Sequence, residues 1–413
     1  MSDLAFIDAA LTAARPQVIA ALLRYFRNLD TAEEAFQEAG LRALQRWPQN
    51  GPPRDPAAWL IMVGRNFALD EARHQRRNQP LPDESLLSNL EDVEMPLAER
   101  IDNSQYRDDI LRLLFVCCHP DLPATQQIAL ALRIVSGLTV AEIARAFIVT
   151  EAAMEQRITR AKRRVAEANV AFETPGAVER SERLGAVATM LYLLFNEGYS
   201  ASGGEAHIRA PLCEEAIRLA RMVLRLFPSE PEVMGLLALM LLQHSRTSTR
   251  LDADGNVVLL EVQDRSQWNR RLIDEGLAMV DKAMHRRQPG PYQLQAAIAA
   301  LHAHAATAAE TDWQEIEQLY SGLERLQPSP VVTLNRAVAV SKARGPAAAL
   351  ELIEPLAGPL DGYFHFHGVK GALHQQLGEV IEARTSFDRA IALARTAAEA
   401  AHIRAHLDGL SAG

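Results

Sequence analysis

Apolar residues recur at helical spacing along nearly the whole chain, and proline- and glycine-rich stretches cut that pattern into blocks. Over residues 10–77 the periodicity predicts three helices. Val18, Leu22, Leu23 and Phe26 mark the buried face of the first. The second covers about 31–47 and stops at PQNGPPRDP, and the third covers about 57–77. A polar stretch opens at NQPLPDE. Helical spacing resumes near residue 108, runs to about 171, breaks at ETPG (residues 173–176) and then continues. In LDADGNVVLL, Asp254-Gly255 predicts a tight turn between two short extended segments.

One block carries sharper punctuation. Thr139-Val140-Ala141-Glu142 has the form of a capping box, in which the Thr hydroxyl and the Glu carboxylate satisfy each other's backbone donors. Gly137 fits the left-handed position that closes the preceding run, QQIALALRIVS. The short helix that follows shows Val140, Ile143, Ala144 and Phe147 on one face. Ile148-Val149-Thr150 forms a turn, and a second helix buries Met154, Ile158, Ala161 and Val165. Glu155, Gln156, Arg157, Thr159, Arg160 and Arg163 then face outward. This is the pattern of a helix-turn-helix, whose second helix enters the major groove. An ordinary helical hairpin with a solvated basic face is the alternative.

Composition supports the helical reading. Hydrophobic residues are 48% of the 413 residues, charged residues 23% and aromatics 6%, which excludes wholesale disorder and favours an all-α fold of several domains. Three cysteines exclude a disulfide-stapled secreted domain. Cys117 and Cys118 lie in the apolar run LLFVCC and read as buried structural thiols; His119 beside them does not complete a zinc spacing. The start, MSDLAFIDAA, has acids where a signal peptide is basic. The longest apolar stretch, residues 233–242, is about half the ~20 residues of a membrane span. The expectation is a soluble cytoplasmic protein with no membrane contact. No nucleophile–base pair, metal spacing or phosphate loop is visible, so neither enzymatic activity nor a cofactor is expected.

The net charge of −9 is unusual for a nucleic-acid binder, but the charge is segregated. Residues 154–165 hold Arg157, Arg160, Lys162, Arg163 and Arg164 against Glu155 alone. Residues 65–77 hold Arg65, Arg73, Arg76 and Arg77 against Asp70 and Glu71. Between them, residues 83–109 carry nine acids against Arg100 and Arg107. Two cationic patches able to neutralise phosphates therefore flank an acidic connector.

Three motifs then occur in one order. LDTAEEAFQEA (residues 29–39) resembles the DAEDLVQE-type helix of sigma-70-family factors. WLIMVGRNFALDEAR (59–73) resembles their WLxxIARNxxLDxxR helix, and GLTVAEIARAF with MEQRITRAKRRV resembles their promoter-reading module. The chain is similar to an extracytoplasmic-function sigma factor over about residues 10–170. That resemblance implies that Glu33, Glu34, Gln37 and Glu38 dock on the coiled-coil clamp helices of the RNA polymerase core. It implies that Arg65, Asn66, Asp70, Arg73, Arg76 and Arg77 bind and open the −10 element of promoter DNA. Glu155, Gln156, Arg157, Thr159, Arg160 and Arg163 would face the −35 element, with Arg157 and Arg160 toward guanine edges or phosphates. Glu155 departs from the family pattern, which often has a basic residue there. Trp59 and Phe67 are either core residues or platforms for unstacked bases.

The remaining 240 or so residues exceed a minimal sigma factor. A 34-residue period aligns Ala337, Ala349, Ile353 and Leu356 with Gly371, Ala383, Phe387 and Ala390, the small-small-aromatic-small positions of a tetratricopeptide (TPR) repeat. Ala303, Glu315 and Leu319 form a weaker copy, and another begins at Ala216 and closes at Pro228. Asn196, Glu197 and Tyr199, with Asp264, Arg265, Trp268 and Arg271, read as polar networks that stitch helices together. Sigma factors with a C-terminal extension share the NEGYSAS, QDRxxW, QAAIAA and PSPVVxLNRAVAV runs, which widens the resemblance to nearly the whole chain. The implied organisation is all-α. Region 2 spans 1–78, an acidic linker 79–107, region 4 108–172, a helical extension 173–285, and a TPR-like α-solenoid 286–413 that regulates the factor and accepts a protein or peptide partner. The alternatives are a helix-turn-helix regulator with a TPR ligand domain that never joins polymerase, and an enzyme with its site in residues 180–280.

Overall fold

The computed structural model describes residues 3–76, 103–119, 121–147, 149–167, 177–199, 210–252, 258–394 and 397–411. Those residues form an all-α protein that divides into two compact units, Met1–Leu194 and Phe195–Gly413. The expected boundary at ETPG, most of the acidic linker and the Asp254-Gly255 turn lie outside the described residues.

The first unit begins with α1 (Asp3–Phe26), α2 (Leu29–Asn50) and α3 (Pro56–Arg76), which pack on one another. The chain reverses between α1 and α2 through Arg27 in the left-handed region (φ 53), and the Asn28 carboxamide caps α2 by accepting from the Thr31 N–H at 3.0 Å. α2 runs past its expected end, through Pro48. A proline in the last turn forfeits only its own donor, and the Gly51 N–H closes the helix on Trp47 O at 2.9 Å. Gly64 lets α3 approach α2, since a Cβ there would sit 2.9 Å from the Ala35 carbonyl oxygen.

The unit continues as α4 (Asn103–Cys117), α5 (Ala124–Ala131) with a wide last turn over Leu132–Ser136, α6 (Val140–Ala146) and α7 (Glu151–Glu167). Gly137 takes the left-handed conformation expected of it (φ 77) and donates to Leu132 O. Cys117 and Cys118 are buried, and burial pushes the Cys118 thiol up to about 12. α8 (Ala177–Tyr199) ends in the second unit.

The second unit is built on α10 (Pro231–His244), which is buried on almost every face and meets α9 (Ala210–Leu226), α11 (Arg270–Met284) and α12 (Pro291–His304). Helix pairs follow: α13 (Trp313–Leu326) with α14 (Pro330–Arg344), α15 (Pro346–Ile353), α16 (Phe364–Leu377) with α17 (Val380–Leu393), and α18 (Ala397–Ser411). Ala337, Ala349, Ile353, Ala383, Phe387 and Ala390 are all buried, and a Cβ on Gly371 would meet the Phe387 ring at 2.6 Å. The weaker copy is out of register, because Glu315 is exposed and Ile316 takes the buried place. Around LDADGNVVLL, the Val258 N–H bonds to Arg250 O at 2.8 Å across the gap in the described residues, and a turn follows in which the Val262 N–H bonds to Leu259 O at 3.0 Å. No helix among the described residues is long and apolar enough to cross a membrane.

Candidate functional site

The four motif residues of α2 do not share one environment. On a helix, Glu34, Gln37, Glu38 and Leu41 are neighbours at i+3, i+4 and i+7, whereas Glu33 is turned by 100° toward Phe36 and Gly40. Glu34 and Gln37 are exposed, and Glu38 is half-buried and pairs with Arg42 at 3.1 Å. Glu33 is only 4% exposed. Its carboxylate meets Arg15 at 3.3 Å, Arg133 at 3.6 Å and Lys162 at 2.5 Å. The helical phase thus turns Glu33 inward, away from Glu34 and Gln37, where three cations enclose it. The exposed strip instead continues through Leu41 and Leu44, which are 56% and 41% exposed.

α3 presents paired cations and rings. The Arg65 guanidinium lies 4.5 Å over the Tyr25 ring, and Arg42 lies 5.9 Å over Phe67. Arg65 is exposed, while Asn66 and Phe67 are half-buried. Trp59 is half-buried and packs edge-to-face on Trp47, centroids 5.5 Å apart, which ties it to the α2–α3 core. Asp70, Arg73 and Arg76 occupy the last turns of α3, but their side chains, with the whole of Arg77, lie outside the described residues.

The capping box forms as the sequence predicts. Glu142 accepts from the Thr139 N–H at 2.7 Å, and the Thr139 hydroxyl accepts from the Glu142 N–H at 3.2 Å. Those bonds, the backbone one foremost, hold the Glu142 carboxyl below its ordinary range. Thr150 caps α7 by accepting from the Ala153 N–H at 3.3 Å; Ile148 of the turn lies outside the described residues. Met154, Ile158, Ala161 and Val165 are buried as one stripe. Glu155, Gln156, Thr159, Arg160 and Arg163 are exposed on the opposite side, and Arg157 is half-buried on one flank. Lys162 sits on the other flank and reaches α2, bonding Asp30 at 2.8 Å as well as Glu33. Burial disfavours its charge, yet the bonds to Asp30 and Glu33 outweigh burial and raise its affinity for a proton.

Arg15 completes this junction. It is 8% exposed, donates to Ile134 O at 3.0 Å and to Arg133 O at 3.2 Å, and burial, against the pull of Glu33, lowers its pKa to about 10. A Cβ on Gly137 would meet the Arg15 side chain at 2.8 Å, so the glycine serves both the turn and this contact. Arg24 of α1 adds a bridge to Asp109 of α4 at 3.3 Å. An arginine three and seven residues before Val18 and Leu22, on an otherwise apolar helical face, was the sequence signal that marked Arg15.

Several polar residues of the second unit bond within it. Tyr199 receives Arg246 on its hydroxyl at 2.6 Å and Arg250 on its carbonyl at 2.6 Å. Arg265 donates to His302 O and Ala305 O at the end of α12 and to Thr311 Oγ1, and Trp268 Nε1 donates to Thr249 Oγ1 at 3.0 Å. Asp264 caps its own turn, accepting from the Ser266 N–H at 3.0 Å. Arg271 is exposed, and Asn196 and Glu197 are half-buried. No group of three or more metal-ligating side chains is found among the described residues.

Comparison with known proteins finds three family matches along the chain. Residues 11–78 match the model for sigma-70 region 2, residues 112–165 match sigma-70 region 4, and residues 183–284 match a family of unknown function, DUF6596. An uncharacterized protein of Rhizobium meliloti (strain 1021) is 68% identical over 412 residues, covering 100% of this chain and 97% of the relative. No solved structure matches significantly.

Proposed function

This chain belongs to the sigma-70 family and carries a C-terminal extension, and from that premise we propose that it acts as an extracytoplasmic-function-type sigma factor regulated by the extension. As an RNA polymerase sigma factor it has core polymerase and promoter DNA as partners. The observation that carries the finer reading is the pairing of two open surfaces in one unit. One is the acidic and apolar strip Glu34, Gln37, Glu38, Leu41 and Leu44 on α2. The other is the outward face of α7 with Gln156, Thr159, Arg160 and Arg163. The first suits a cationic helical surface of core polymerase, where desolvated charge contacts give both orientation and affinity. The second suits the major groove at the −35 element. Arg65 and Asn66, with Asp70, Arg73, Arg76 and Arg77, serve the −10 element, and Tyr25 and Phe67 offer ring faces beside Arg65 and Arg42 for an unstacked strand.

The chain performs no covalent chemistry and needs no cofactor in this reading; polymerase makes the phosphodiester bonds in the cytoplasm. The paired helices α13–α18 act as a TPR-like module for a protein or peptide partner. The test is capture of core polymerase by the full-length chain, followed by transcription from a cognate promoter. Failure to bind core would leave only a helix-turn-helix regulator.

A further inference from the structure

The helix pairs of the second unit enclose a cleft that neither reading surface uses. It opens between α15, the turn that follows it, α16 and α17, and its volume is about 680 Å³. Ile353, Phe366 and Ile381 supply apolar walls. The first two are buried, whereas Ile381 is 77% exposed. Leu377 and Val380, at the turn from α16 into α17, are exposed as well. Three large aliphatic side chains in water at the mouth of a cleft form a patch whose burial a partner would recover as binding free energy. The polar part of the lining is one-sided. Glu351, Glu354, Glu379 and Glu382 line the cleft and are all exposed, against Lys370, which is half-buried. Glu379 bonds the His374 imidazole at 2.6 Å. Among the described residues, no cation lies within ion-pair distance of Glu351, Glu354 or Glu382. Like charges gathered around partly apolar walls focus a negative field into the cleft.

We propose that this cleft docks a cationic amphipathic segment of a partner protein. Aliphatic side chains of that segment pack on Ile353, Phe366 and Ile381, and its lysines or arginines lie among the four carboxylates. The inference rests on reading α13–α18 as a partner-binding module and deepens it by giving the place of docking and the chemistry of the partner. Charge complementarity selects the occupant. Four carboxylates repel a phosphate backbone, so the cleft is not a further promoter contact. A small polycation satisfies the carboxylates but leaves Leu377, Val380 and Ile381 in water, whereas an amphipathic segment covers both. A second copy of this chain, with a net charge of −9, brings a largely acidic surface to an acidic cleft. The volume lies within the roughly 300–1,000 Å³ of clefts that hold specific ligands, so a few side chains fill it.

The experiment selects random peptides displayed on phage against the immobilised full-length chain and measures the recovered peptides by fluorescence anisotropy. The expected peptides interleave lysine or arginine with leucine, isoleucine or phenylalanine. Their affinity falls about tenfold or more for Glu351→Lys with Glu382→Lys, and about fivefold for Ile381→Asp. Asp388→Lys with Asp408→Lys makes the same change in net charge at exposed positions outside the cleft lining, and affinity there stays within about twofold of the parent. All five substituted side chains are exposed, and circular dichroism with thermal melting checks that each variant folds. Recovered peptides that are not cationic, or that bind the cleft variants as tightly as the parent, overturn this docking site while leaving a partner-binding module elsewhere in the extension. Equal losses in the cleft and control variants reduce the effect to net charge and overturn it too. Displacement of the peptides by spermine at their own concentration marks a polycation site and contradicts the proposal. Recovery of no peptide at all removes both the site and the module reading.

Discussion

In the first unit, the charged residues of the motifs face outward or onto a neighbouring module; in the second, several arginines end on backbone carbonyls and hydroxyls. Glu34, Gln37, Arg160 and Arg163 are exposed, and Lys162 and Arg15 bridge region 2 and region 4. Arg265, Arg246 and Arg250 instead terminate on His302 O, Ala305 O and Tyr199, with no carboxylate within ion-pair distance among the described residues. Runs that look equally informative in a sequence thus differ in kind. The first set stays largely open to solvent, and the second ties down the end of α12 and the end of α8.

The largest effect expected from this difference is on polymerase binding. Glu34→Lys with Gln37→Lys reverses the strip on α2, and each charge-assisted contact is worth about 1–3 kcal/mol when desolvated, so the double variant loses about two orders of magnitude or more in core affinity. Circular dichroism should show unchanged helix content, because both side chains are exposed. Retained binding would remove α2 from the docking surface.

Next in size is promoter reading. Arg157→Ala and Arg160→Ala are expected to cost about 1–3 kcal/mol at a single −35 position if the side chain reads a base edge. Binding to a panel of single-base promoter variants separates that outcome from an even loss on every sequence, which marks a phosphate contact.

For the second unit the expectation is the reverse. Arg265→Ala should lower the unfolding free energy of the extension by about 1.5–2 kcal/mol, since it frees two carbonyls and Thr311 from a charged donor. Core affinity should not change. A variant that unfolds normally but loses polymerase binding would show that the two sets of arginines are not different after all.

The smallest effect is a pH dependence. The His302 imidazole is pushed down to about 4, by burial first and then by Arg246 and Arg265. It is neutral in the fold, whereas the unfolded chain takes up a proton below about 6.5. Its contribution to stability is complete above that pH and is lost as pH falls toward 4, with a slope of at most about 1.4 kcal/mol per pH unit. His302→Gln should flatten that part of the stability profile, as read by denaturant melts from pH 7 to pH 4.5.

What was legible in the sequence follows the same division. The capping box, Gly137 and the stripe Met154, Ile158, Ala161 and Val165 depend on local periodicity, and the structure reproduces them. The all-α class followed from composition and spacing. The burial of Glu33 was not legible, because a motif records residue identity while that burial depends on Arg133 and Lys162, about a hundred or more positions away. Leu41 and Leu44 were not legible as surface, because exposed leucines on a helix look like core until the neighbouring helices are placed. In the extension, the 34-residue period marked the small residues where helices cross, but the copy at Glu315 slipped by one position, which only packing against Ile316 reveals.

The most direct measurement is competition for core polymerase between the full-length chain and a second sigma-70-family factor, followed by native mass or analytical ultracentrifugation. The expected result is a one-to-one complex with core that the second factor displaces, because both need the same surface for α2. No complex, or a complex that holds both factors at once, would contradict the assignment of α2 as the polymerase-docking helix.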